Sequence, residues 1–181
     1  MKYLTPLLLA LTLCGCAPVY TSKPIGEKPK NLIHEVAEWE GTWINSKGDA
    51  YQVKVKDPAN GVLQAAGIEE KENKLELKEY TIHLRESGKW CFASSRVDEV
   101  KDKELYSWAR ISKEDRQVIF WAPDVNKFKE LVKKGQLPGK LEENAVLLGE
   151  LGPKHMELIT SGSNGVLLDW ENPTVFTKMS K

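Results

Sequence analysis

The sequence predicts a mainly β protein, a single antiparallel barrel or sandwich of about eight or nine strands, with a short N-terminal helix and one helix near residues 125–134. Three observations predict it. Beyond Gly41, apolar and polar residues alternate with period two over most segments, the pattern of strands with one buried face. Turn residues such as Asp57-Pro58-Ala59-Asn60-Gly61 and Glu86-Ser87-Gly88 cut that alternation into short runs. Helical spacing of apolar residues is confined to the segments around Trp39 and Phe128.

Residues 1–15 read as a signal peptide, with Lys2 as a positive start and an apolar run to Leu13 that is too short for a permanent bilayer span. Residues 16–30 follow as a tether. Pro18, Pro24 and Pro29 punctuate its polar background and favour extended backbone, which could reach roughly 40 Å at about 3.1 Å per residue. Residues 31–181 then form one β-rich globular domain, long enough for a single sizeable core.

Within that domain Asn31 can cap a short helix through Leu32, Ile33, Val36 and Trp39, ending at Gly41. Tyr51, Val53 and Val55 alternate with Gln52, Lys54 and Lys56, and the turn at 57–61 leads into a return strand from Val62 to Ile68. Between Lys74 and Arg85 the apolar positions move from odd (Leu75, Leu77) to even (Tyr80, Ile82, Leu84), which predicts a bulge near Lys78 or Glu79. Lys89 to Arg96 forms the next strand, and Leu105 to Ile111 pairs with Arg116 to Trp121. Asp124 caps the clearest helix, whose stripe is Val125, Phe128, Leu131 and Val132 and whose end carries Lys133, Lys134 and Gly135. Ala145 to Leu151, His155 to Thr160, Val166 to Asp169 and Thr174 to Met179 complete the expected strands.

The end of the signal segment, Leu13-Cys14-Gly15-Cys16, resembles the lipobox of bacterial lipoproteins. The resemblance implies that Cys16 carries a diacylglyceryl group on its sulfur, becomes the mature N-terminus and is acylated again on its amine. Pro18 stands where an aspartate would signal inner-membrane retention, so in a two-membrane bacterium the resemblance implies the periplasmic leaflet of the outer membrane, and in a one-membrane bacterium the cell membrane. Two or three acyl chains would hold the protein firmly, each buried methylene adding about 0.8 kcal/mol.

A second resemblance is carried by Trp39-Glu40-Gly41-Thr42-Trp43, a Gly-x-Trp opening that is similar to that of lipocalins and their calycin relatives. It implies a calycin-like barrel with Trp43 packed across the closed end and Lys178 or Arg110 as its cationic partner. No Thr-Asp-Tyr segment accompanies the motif, and the best helix precedes several strands rather than one.

Lys and Arg number 26 and Asp and Glu 26, so no general electrostatic field draws the chain to nucleic acid. His34, His83 and His155 are scattered without metal-ligand spacing, and no cofactor motif is present. Cys91, in Lys89-Trp90-Cys91-Phe92-Ala93, lies in an apolar strand and reads as a buried thiol rather than a nucleophile. The glycine-rich run Ser161 to Gly165 lacks the lysine and helix of a phosphate loop. No catalytic residue, metal site or cofactor is therefore expected.

Tryptophan is abundant, with six in the chain, and Trp90, Trp108 and Trp121 are the candidates to meet an apolar ligand. Tyr106 and Trp108 alternate with Ser107 and Ala109, so the face that turns inward decides whether the barrel is filled or hollow. The expected function is binding of an apolar ligand such as a lipid, without enzymatic activity. The alternative is a filled-core envelope assembly or maintenance protein acting through its rim or the Pro138 to Asn144 loop. The expected partners are the membrane, through the acyl chains, and an apolar ligand or envelope protein.

Overall fold

A computed structural model describes residues 18–71, 74–97, 104–161 and 167–180. The signal segment and Cys16 lie outside the described residues. In chain order the elements are β1 (Val19–Thr21), β2 (Lys28–Pro29), α1 (Val36–Trp39), β3 (Gly41–Asn45), β4 (Ala50–Asp57), β5 (Val62–Lys71), β6 (Lys74–Ser87), β7 (Trp90–Val97) and β8 (Leu105–Glu114). They continue with β9 (Gln117–Trp121), α2 (Val125–Lys133), β10 (Gly139–Glu142), β11 (Ala145–Leu148), α3 (Pro153–Thr160) and β12 (Thr174–Lys178).

Strands β3 to β9 pair in sequence order, and β12 lies antiparallel between β9 and β3 to close the ring. The result is a closed antiparallel barrel, which decides between the barrel and the sandwich. Short hairpins make it possible: between β8 and β9 only Asp115 and Arg116 intervene, with Asp115 in the left-handed region at φ 46°. The sheet also forks at β8. Arg110 to Glu114 pair with β9, whereas Tyr106 and Ser107 pair with β1, which carries β11 and then β10 away from the barrel.

Alternation along β7 and β8 creates two cores that share one wall. Trp90, Phe92 and Trp108 face outward into a cluster with Val125 and Phe128 of α2, Met156 and Ile159 of α3, and Val146 and Leu148 of β11. Ala93 and Ile111 face inward with Trp39, Trp43, Val53, Leu63, Ala65, Leu84 and Val118. Trp108 and Phe128 meet edge to face with ring centres 5.5 Å apart. Asp124 caps α2 by accepting from the backbone N–H of Asn126 and Lys127.

Several sequence expectations are corrected. The helix at Trp39 is only one turn long, because the Asn31 side chain accepts from the Ile33 N–H and closes a turn before Val36. The expected bulge in β6 is absent: the ladder with β5 runs unshifted from Val62 opposite His83 to Lys71 opposite Lys74. Leu75 and Leu77 therefore stay on the outer phase and are 77% and 68% exposed. They have no core to turn toward, since β4 pairing ends at Gly67 and β7 pairing at Ile82, so the end of the β5–β6 hairpin projects beyond the barrel. A register shift lies instead between Val55 and Asp57.

Pro153–Thr160 is a helix rather than a strand. Pro153 suits its first turn, the His155 ring accepts from the Gly152 N–H at 3.0 Å, and Met156 and Ile159 share one buried face. Of the strand expected from Val166 to Asp169, Val166 lies outside the described residues, and Leu168 makes an isolated bridge to Pro123 rather than part of a strand. The proline-rich segment is extended but does not run free. Val19 and Ile25 are buried in the outer core, the Ile25 N–H donates to Ser94 Oγ, and Lys28–Pro29 pairs with β6.

One end of the barrel is closed by α1. Trp43 Nε1 donates to the Trp39 carbonyl at 2.8 Å, and Lys178 Nζ donates to the carbonyls of Ala37 and Glu38 while lying 5.9 Å from the Trp43 ring centre. Gly41, at φ 133°, leaves room for this lysine; a Cβ there would stand 3.1 Å from its Cε. Trp43→Ala should lower stability by about 3–5 kcal/mol in urea denaturation, whereas Leu75→Ser should stay within about 0.5 kcal/mol of the parent.

Candidate functional site

Inward-facing small residues decide what the barrel can hold. Ala65 on β5, Ala93 on β7 and Ala109 on β8 line its interior with Leu63, Leu84 and Val118, leaving a cavity of about 120 Å³. Trp39 and Trp43 bound it near α1. Its other walls are aromatic: Phe120 and Phe176 meet at 5.2 Å, Phe176 and Tyr51 at 5.9 Å, and Tyr51 and Tyr80 at 6.5 Å between ring centres.

The polar chemistry sits toward the end opposite α1. Glu69 follows Leu63, Ala65 and Gly67 on the inward phase of β5, next to the projecting hairpin. Tyr80 donates its hydroxyl proton to Glu69 Oε1, and the Tyr51 hydroxyl lies 3.5 Å from the same oxygen. Burial, together with the negative charges of Glu69 and Asp49, pushes the Tyr51 phenol up to about 12. Gly67 permits this arrangement, because a Cβ on it would come within 2.6 Å of the Tyr51 ring.

With their protons directed at Glu69, the phenol oxygens act toward the cavity as acceptors. A polar group entering from that side meets acceptors and a carboxylate. The site thus complements a hydrogen-bond donor and opposes an anion. Among the described residues no group of His, Cys, Asp and Glu side chains is arranged to hold a metal ion.

The tryptophans named from sequence lie elsewhere. Trp90 and Trp108 belong to the outer core, and Trp121 packs against its edge, so none of the three lines the barrel cavity. Trp43 and Lys178 are together at the closed end, whereas Arg110 is on the outer face, 4.4 Å from the Trp90 ring centre. Burial pulls the Arg110 guanidinium below its ordinary value.

Cys91 is inward and partly buried, and burial pushes its thiol up to about 12, with Lys30 opposing and Glu86 and Glu35 adding to the shift. A thiol so protonated is a poor nucleophile. The His83 ring contacts Tyr106 edge to face at 6.0 Å, and burial followed by the charge of Arg85 lowers its basicity. His155 caps α3 as described, and His34 is exposed before α1.

Sequence reasoning did not single out Tyr51, Tyr80, Phe120, Phe176 or Glu69 as site residues. The available signal was Glu69 itself, a carboxylate on the inward phase of a strand. Ala65 and Gly67 precede it at the same spacing, marking a wall with space in front.

No helix among the described residues is long and apolar enough to cross a membrane. The folded values of Cys91 and Tyr51 lie above their ordinary 9.0 and 10.0. Their contribution to stability is therefore complete below about pH 9 and lost as pH climbs toward 12, because the unfolded chain releases both protons first. Urea midpoints should fall across that window, and Cys91→Ala should flatten its lower part.

No family model matches this chain, and neither a curated protein nor a solved structure matches it.

Proposed function

We propose that this chain is a periplasmic binding lipoprotein, anchored in the bacterial outer membrane through acylated Cys16, whose barrel takes a compact apolar ligand carrying a hydrogen-bond donor. The observation that carries the ligand reading is the hollow beside Ala65, Ala93 and Ala109, walled by aromatic rings and overlooked by Tyr51, Tyr80 and Glu69. Apolar cavities of about 150 Å³ stay dry and take up benzene. A space of about 120 Å³ therefore suits one small ring or a short branched group rather than a whole acyl chain.

The head group follows from the acceptors. A carboxylate would face the phenol oxygens and the charge of Glu69, whereas an ammonium or hydroxyl would donate to them and an ammonium could also lie against the rings. The lipobox resemblance supports the location. Ile68, Leu75 and Leu77, exposed on the outer phase of the β5–β6 hairpin, favour a second reading in which this ribbon contacts an envelope protein.

Two measurements test the proposal. Calorimetric titration should show benzylamine or phenol binding saturably and benzoate binding about tenfold more weakly or worse. Ala93→Leu, which fills the hollow, should abolish the signal; equal binding of benzoate, or no binding of any of the three, would overturn the ligand reading. Cys16→Ser should move the chain from the membrane fraction to the soluble fraction and remove the acyl mass from its N-terminus. A chain that stays membrane-bound and unmodified in both forms would overturn the anchor.

A further inference from the structure

Arg110 stands on the outer wall of the barrel inside a cage of indoles. Trp90 lies two residues before Phe92, the β7 residue opposite Arg110, Trp121 lies directly opposite on β9, and Trp170 closes over from the segment before β12. The guanidinium carbon is 4.4 Å from the Trp90 ring centre, 4.7 Å from Trp170 and 5.1 Å from Trp121. The rings also brace one another, with Trp121 and Trp170 5.1 Å apart and Trp90 and Trp170 6.4 Å apart between centres.

A half-buried arginine ordinarily meets a carboxylate. Arg110 meets none: among the described residues its side chain has no ion pair and no hydrogen bond, and its Nε is buried without a partner. Its two terminal nitrogens are not among the buried unpaired atoms, so the end of the fork remains reachable. The indoles therefore hold a cation in place without neutralising it, and they present its fork, the group that pairs bidentately with a phosphate or carboxylate.

The surroundings select among anions. Trp170 is 37% exposed beside the guanidinium, giving the site an amphipathic ring at its rim, the side chain that favours the boundary between lipid and water. β1, the first strand after Cys16 among the described residues, pairs with the strand that carries Arg110: Tyr20 lies opposite Ser107, three residues before Arg110, or roughly 10 Å along β8. We propose that Arg110, caged by Trp90, Trp121 and Trp170, binds the phosphate of a phospholipid headgroup. The choice of a lipid over a free phosphate rests on the anchor reading; the anion site itself does not.

The test uses the full chain carrying Cys16→Ser, so that no acyl group contributes, and follows tryptophan fluorescence during titration. The probes are vesicles of phosphatidylcholine with phosphatidylglycerol and, separately, inorganic phosphate. The vesicles should give a saturable change that inorganic phosphate competes away, and Arg110→Gln should weaken the vesicle affinity about tenfold. Arg110→Lys, which keeps the charge but not the fork, should weaken it by less and serves as the test if the glutamine variant does not fold. Vesicle binding that is equal in the parent and a folded Arg110 variant would overturn the proposal, as would a response to neither probe. An Arg110-dependent response to inorganic phosphate alone would overturn the lipid source. Loss of membrane attachment in the Cys16→Ser chain inside cells, with vesicle binding intact, would separate the anchor from this site.

Discussion

The alternation along β7 and β8 is the constraint on which the rest of the molecule depends. Phe92 and Trp108 point out while Ala93 and Ala109 point in, and both consequences follow from one register. The outward rings give α2, α3 and the β1–β11 extension something to cover. The inward methyl groups leave the barrel partly empty. A slip of one residue would drive the rings into the interior and strip the helices of their partners, which is why two cores built on one wall fix the register strongly.

The barrel is chemically unlike at its two ends. Toward α1 the polar groups are consumed by structure: Lys178 donates to two carbonyls behind Trp43, Lys113 pairs with Glu38, and Arg116 donates to the Lys178 carbonyl. Toward the hairpin, Glu69 gathers the hydroxyls of Tyr51 and Tyr80 beside a hollow. The first arrangement seals and the second offers acceptors. Burial strengthens that difference, because a partly desolvated carboxylate keeps more of its electrostatic reach than one in bulk water.

The N-terminal segment gains a different meaning once Val19 and Ile25 are seen in the outer core. A proline-rich stretch between an acyl anchor and a domain would normally set a distance. Here it is absorbed as a strap that crosses the barrel wall by way of Ser94 and β6. Its first strand, β1, pairs with β8, the strand that carries the caged Arg110.

By itself the sequence determined the elements whose signal is local. Period-two alternation marked most strands, Asp124 and Gly135 bounded α2, and the turn at 57–61 placed a hairpin. Where a local signal misled, a tertiary partner was the reason: Leu75 and Leu77 change phase with no core beside them, and the apolar residues of α3 fit either period until Pro153 and the outer core select a helix. The motif resemblance offered Lys178 or Arg110 as the cationic partner of Trp43, and the structure selects Lys178. Only the tertiary structure decided closure through β12, the outward turn of Trp90 and Trp108, and the meeting of Glu69 with Tyr51 and Tyr80. Those outcomes depend on strand order and on which face meets water, and such information resides in contacts between residues far apart in the chain.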